Sequence, residues 1–157
     1  ANLDLSRGNV EAQFVTMLLG ELDVRTGALD LVNAGHDAPW LLRSGQSPRQ
    51  LVAPAHDGGP PLCVLDDFVY SVQRIALAPG DDLVMVTDGI TEAANSDQEL
   101  YGNTRLQAAL ATAGDGAPVD AILRHLRASV AAFVDGAEAS DDMAVLVLRW
   151  NGPVVGA

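Results

Sequence analysis

The residues best placed to do chemistry are aspartates at the ends of two apolar runs. Residues 83–87 (LVMVT) lead straight into Asp88-Gly89, and residues 143–148 (MAVLVL) are preceded by Asp141-Asp142. In an antiparallel pair the C-terminal end of one strand lies beside the N-terminal end of the other. If these two runs pair in that way, Asp88 and Asp141 meet at one sheet edge. Carboxylates brought together repel, so that one must be protonated or a cation must sit between them. A hard divalent cation held by a few carboxylates and several waters suits such an edge, and its water can be activated for hydrolysis. The alternative is that both are strand-end turn residues, since Asp-Gly is a common turn pair and adjacent aspartates often face solvent.

Other chemistries find less support. The chain of 157 residues contains no lysine, which removes a P-loop and a Schiff-base mechanism. Of its 21 acidic residues 16 are Asp and 5 Glu. Short carboxylates suit turns, strand ends and hard cations such as Mg²⁺ and Mn²⁺. Three histidines without an HExxH pattern give no basis for a His-rich zinc centre. His36 follows Asn33-Ala34-Gly35 as a hydrogen-bonding turn residue, His56 lies in a loop, and His125 is on the polar side of a helix. Thr16, Ser71 and Thr87 offer hydroxyls outside any GxSxG elbow. Cys63, the single cysteine, reads as a small apolar residue and can form no internal disulfide.

Composition bounds the class. Nine arginines against 21 acids leave a net charge of −12, which disfavours nucleic acid and anionic membranes as direct partners. Hydrophobic residues at 48% supply a core, while no apolar run reaches the length of a membrane span and no signal peptide is visible. The expected location is cytoplasmic, with one domain for this length.

The elements that would position the aspartates follow from periodicity. A buried strand is expected over residues 14–24, a turn at Arg25-Thr26-Gly27, and a returning strand over Ala28–Ala34. Residues 39–43 resume the strand pattern, 53–67 form an irregular Gly/Pro/Asp-rich stretch, and 68–77 alternate as a strand through Phe68, Tyr70 and Val72. The apolar run 83–87 reads as a central strand covered on both faces. Helices are expected over 104–112, with Asn103 or Thr104 as N-cap, and over 118–134, ended by Gly136. Strands come first and helices late, so the class is α+β with mainly antiparallel strands.

Read in order, FVTMLLGELDVRTGALDLVNAGHDAPWLL (14–42), GGPPLCV (58–64), LAPGDDLVMVTDGITEA (77–93), ELYGNTRL (99–106) and SDDMAVLVLRW (140–150) resemble the SpoIIE/RsbU-type branch of the metal-dependent, type 2C-like (PPM) serine/threonine protein phosphatases. The resemblance implies two packed, mostly antiparallel sheets flanked by helices, with a two-metal Mn²⁺ or Mg²⁺ centre at one edge. There a metal-activated water attacks a phosphoserine or phosphothreonine directly. Asp88 and Asp141 match the family's metal-ligand aspartates; Asp142 is a weaker candidate, and Gly89 supplies backbone at the metal edge. No side chain is implied as the nucleophile. Asn33 and His36 match a structural hairpin. The family's other metal motif, an Asp-Gly before a Gly-His-Gly segment, precedes the FVT strand and is not in this sequence. Residues 1–152 are therefore expected to be the C-terminal portion of one SpoIIE-like domain, truncated at its N-terminus, with 153–157 a tail. Cys63 stands where the family usually has Gly, and Ala144 where Thr is common. The implied substrate is a phosphorylated regulator such as a STAS-type anti-sigma-factor antagonist, with an upstream sensor or regulatory domain. The alternative is a non-catalytic regulatory or interaction module of the same fold, inactive for want of the upstream motif.

Overall fold

The computed structural model describes residues 2–7, 9, 13–53, 58–113, 116–137 and 141–153. His56 and Ser140 lie outside them. The described elements run α1 (Asn2–Ser6), β1 (Met17–Asp23), β2 (Ala28–Ala34), β3 (Trp40–Leu42), β4 (Arg49–Gln50), β5 (Gln73–Ala76), β6 (Asp82–Val86), α2 (Asp88–Thr91), α3 (Gly102–Thr112), α4 (Val119–Val134) and β7 (Val145–Arg149). Two antiparallel sheets result, ordered β1-β2-β5 and β4-β3-β6-β7. The class is α+β, as the succession of strands and late helices implies.

The chain divides into two compact units, the first comprising 1–38, 52–77 and 152–157 and the second 39–51 and 78–151. In the first, β1 and β2 pair from Met17↔Ala34 to Asp23↔Ala28 around a turn that closes on Gly27, at φ 77°. Leu29, Leu31 and Ala34 of β2 are buried. The strand expected over 14–24 is shorter and more exposed than its apolar composition suggests. Phe14, which precedes β1, is 63% and Leu19 57% exposed, and β1 has a single strand neighbour. The strand expected over 68–77 is reduced to β5. Phe68 and Tyr70 leave the ladder to stack edge to face, 4.9 Å between centroids, over Gly59. A Cβ at Gly59 would stand 2.4 Å from the Tyr70 ring, so the alternation marks packing on a loop rather than pairing in a sheet. Asn33 brackets His36, donating to its carbonyl at 2.8 Å and accepting its N–H at 2.8 Å, which is the structural role expected of both.

Cys63 occupies the left-handed region at φ 69°, where a β-carbon is strained. Its N–H is held by Asn2 Oδ1 at 2.9 Å, so the conformation is fixed from outside the turn. Cys63→Gly is expected to raise stability by about 1 kcal/mol, read as a higher denaturant midpoint at unchanged slope. A lower midpoint would show that the thiol's packing outweighs the strain.

The second unit carries the core: Trp40, Val84, Val86, Ile90, Ala93, Tyr101, Leu106, Ala109, Leu110, Ile122, Leu126 and Val130. β6 lies between β3 and β7, and four of its five residues are buried, so an unbroken apolar run is what this position requires. α4 buries Ile122, Leu126 and Val130, one face at four-residue spacing. It ends at Val134, as expected, with left-handed Asp135 (φ 47°) and Gly136 (φ 82°) following. α3 begins before Asn103 and Thr104, neither of which caps it. Tyr101 sets the start instead: its ring is buried, its N–H donates to the Ala93 carbonyl at 2.8 Å, and its hydroxyl meets Ser129 Oγ at 2.7 Å. No helix among the described residues is long and apolar enough to cross a membrane.

Candidate metal centre

β6 and β7 pair antiparallel from Asp82↔Arg149 to Val86↔Val145. The pairing continues past the strand ends: Thr87 N–H donates to the Ala144 carbonyl at 3.1 Å, and Thr87 Oγ1 accepts from Ala144 N–H at 2.9 Å. The same hydroxyl donates to the Asp142 carbonyl at 3.1 Å. Thr87, noted in the sequence only as a spare hydroxyl, therefore laces the two acidic strand ends together. Its signal was its place, immediately before Asp88 at the end of an apolar run.

The chain then turns into α2, whose first residue is Asp88. The Asp88 carbonyl accepts Glu92 N–H at 2.7 Å and the Thr91 hydroxyl at 3.2 Å, which secures the single turn. Gly89 is buried against the opposite strand end, where a Cβ would stand 2.4 Å from the Asp142 carbonyl oxygen. Glycine is required here by close approach of backbone. Gly89→Ala must push residues 141–143 away, and we expect a loss of about 2 kcal/mol in thermal or denaturant unfolding. A variant as stable as the parent would mean that the 141–143 segment yields freely.

Asp88, Asp141 and Asp142 are all exposed at this edge. Asp88 Oδ1 accepts Gly89 N–H at 3.0 Å, and Asp141 Oδ1 accepts Asp142 N–H at 2.7 Å. Each carboxylate is thus oriented by the following amide through one oxygen, leaving Oδ2 outside that bond. The antiparallel pairing of β6 with β7, the Thr87 hydroxyl and the close approach of Gly89 place the Asp88 and Asp142 backbones at adjoining strand ends.

Hard, exposed carboxylate oxygens fit Mn²⁺ or Mg²⁺ by donor type. Among the described residues no group of three or more His, Cys, Asp or Glu side chains gathers closely enough to hold an ion. His36 hydrogen-bonds locally in the first unit through Asn33, and His125 Nε2 in the second meets Thr112 Oγ1 at 2.9 Å.

The aspartates at the other end of β6 do different work. Asp81 is bound by Arg43 at 2.5 Å and by Ala78 N–H at 2.8 Å, and Asp82 by Arg149 at 2.6 Å. Both acids are buried. No partner for either acid was read from the sequence; the signal for a pair was Arg149 just beyond the last apolar run, in register with Asp82.

Comparison with known proteins bears on the whole arrangement. Protein IcfG of Synechocystis is 28% identical over 140 residues, covering 89% of this chain and 21% of IcfG. The SiaA-PP2C domain of Pseudomonas aeruginosa superposes with a TM-score of 0.75 at 21% identity, over 94% of this chain and 57% of that one. The RsbU and RsbW domains of Rv1364c from Mycobacterium tuberculosis give 0.70 at 24% identity, over 96% and 40%. The phosphatase domain of SpoIIE from Bacillus subtilis, presoaked with Mn, gives 0.64 at 21% identity, over 85% and 56%. The chain thus spans about a fifth of IcfG and little more than half of that SpoIIE phosphatase chain. The fold is that of PP2C-type phosphatase domains. The family model for Stage II sporulation protein E (SpoIIE) matches residues 1–151, and the chain belongs to that family.

Proposed function

We propose that the chain is the C-terminal portion of a metal-dependent serine/threonine protein phosphatase domain, with Asp88 and Asp141 as metal ligands and Asp142 as a weaker one. The observation that carries this reading is the meeting of Asp88 with Asp141-Asp142 at adjoining ends of β6 and β7, laced by Thr87. Family membership and the manganese-soaked SpoIIE phosphatase neighbour support it.

In this reading the chain's residues hold and space the acidic edge. The Gly89 and Asp142 amides orient the Asp88 and Asp141 carboxylates, Thr87 fixes the separation of the two strand ends, and Gly89 admits the 141–143 backbone. Bound Mn²⁺ or Mg²⁺ supplies acidified water for direct attack on a phosphoserine or phosphothreonine and neutralises phosphoryl charge. The substrate proposed is a cytoplasmic phosphorylated regulator, such as a STAS-type anti-sigma-factor antagonist. The RsbU and RsbW pairing in the Rv1364c neighbour is the support for that choice. A second reading, a non-catalytic module of the same fold, is favoured by the want of a three-donor cluster among the described residues.

Hydrolysis of p-nitrophenyl phosphate by the full-length gene product separates the two. Turnover is expected only with added Mn²⁺ or Mg²⁺, because a chain of net charge −12 otherwise repels the substrate. Unchanged turnover in excess EDTA would rule out the metal mechanism, and no turnover under any condition would favour the module. The isolated 157-residue chain is expected to show little or none.

A further inference from the structure

An apolar pocket of about 520 Å³ opens beside the carboxylate edge, within the usual range of small-ligand sites at ~300–1,000 Å³. Ile90, Val130, Val134 and Met143 form much of its wall. Two of these belong to the segments that carry the aspartates: Ile90 stands two residues after Asp88, and Met143 directly follows Asp142. Two of the lining residues therefore lie within two positions of the proposed ligands. Met143, half exposed, gives that wall an adaptable thioether.

The lining contains one cation, Arg127, which is exposed. Its neighbour on α4, Arg124, pairs with Asp120, whereas Arg127 has no carboxylate partner among the described residues. In a chain of net charge −12, a guanidinium with no carboxylate partner among the described residues, at the rim of an apolar hole, suits an acid supplied by a ligand.

We propose that this pocket is a substrate subsite: it takes an apolar side chain flanking the phosphorylated residue, and Arg127 takes a carboxylate adjacent to that side chain in the substrate. The inference rests on the phosphatase reading above and adds what the enzyme selects. A substrate polypeptide is favoured over a second copy of the chain because the lining residues Ile90 and Met143 stand within two residues of Asp88 and Asp142, where the phosphoryl group would lie.

The test uses the full-length gene product with Mn²⁺ and phosphoserine peptides of Gly/Ser background, through which one Leu-Glu pair is walked from four residues before the phosphoserine to four after. One placement is expected to raise kcat/KM by about ten- to a hundredfold over the pair-free peptide, the factor that corresponds to burying one leucine side chain. Ala131→Trp, at an exposed α4 position lining the pocket, should fill it and bring that gain to within about threefold. Arg127→Ala should remove the preference for Leu-Glu over Leu-Gln. Neither variant should change turnover of p-nitrophenyl phosphate, which is too small to use the pocket. A flat response to the walked pair, with p-nitrophenyl phosphate still hydrolysed, would overturn the subsite alone. Equal losses on both substrates would make the pocket structural, and a changed oligomeric state of Ala131→Trp in light scattering would assign it to a second copy. No metal-dependent turnover of p-nitrophenyl phosphate by the parent would remove the phosphatase reading, and the subsite with it.

Discussion

Asp88→Asn and Asp141→Asn are each expected to abolish metal-dependent phosphoester hydrolysis in the full-length gene product while leaving the thermal midpoint in EDTA unchanged or slightly raised. The two halves of this expectation come from different atoms of the same side chains. Asparagine keeps Oδ1, so the bonds from Gly89 N–H to residue 88 and from Asp142 N–H to residue 141 survive. It loses the negative charge and the second carboxylate oxygen, which are what a hard cation needs. Changes one step removed from a metal already cost about 10–100-fold, so loss of a ligand should cost at least ~100-fold. Removing charge from an exposed acidic edge relieves repulsion between Asp141 and its neighbour Asp142, which is why stability should not fall. Alanine provides the contrast. Asp88→Ala also deletes the acceptor at the start of α2 and should cost about 1 kcal/mol. If the asparagine variants melt lower by about 0.5–2 kcal/mol and lose activity only in step, both aspartates are turn residues and the metal assignment fails.

The juxtaposition of the two acidic strand ends was legible because pairing geometry needs little beyond the apolar runs. Two runs, each with acid at the end that antiparallel pairing brings together, place Asp88 near Asp141 once β6 and β7 are neighbours. Ala28–Ala34 was legible for a related reason, since its inward residues alternate between turn signals on both sides. The failures share another cause. Residues 14–24 contain enough apolar side chains for a buried strand, but composition does not say whether a strand lies at the centre or the edge of its sheet. β1 is at the edge. Phe68 and Tyr70 carry the strand period, yet Gly59 leaves a bare backbone surface for their rings, and that surface is distant in sequence. The start of α3 was misplaced because capping preference at Asn103 and Thr104 is a local term of about 1 kcal/mol. Burial of Tyr101 at 1% exposure and its two hydrogen bonds outweigh it. Local rules held where tertiary packing agreed with them.

The largest stability effect is expected at Asp82. Its carboxylate receives Arg149 Nε at 2.8 Å and Nη2 at 2.6 Å, a two-pronged pair between residues in direct register on β6 and β7. The acid side chain is 6% and the arginine 18% exposed, so solvent screens the pair weakly. The hydrogen bonds to Asp82 are the main cause of an Arg149 pKa held above its ordinary value, and the arginine remains charged at any working pH. Asp82→Ala therefore leaves a guanidinium mostly buried, with the Ala117 carbonyl, at 2.7 Å, as its one remaining acceptor among the described residues. Breaking such a pair from one side costs about 3–5 kcal/mol, most of it the stranded charge. Asp82→Asn should lie between, since it keeps one acceptor and loses the charge assistance. The double replacement Asp82→Leu with Arg149→Met should recover most of the loss, because removing both charges removes the desolvation cost along with the attraction. Urea unfolding of these three variants beside the parent measures the losses directly. If Asp82→Ala costs less than about 1 kcal/mol, the pair behaves as an exposed one and the burial of this strand end does not persist in solution.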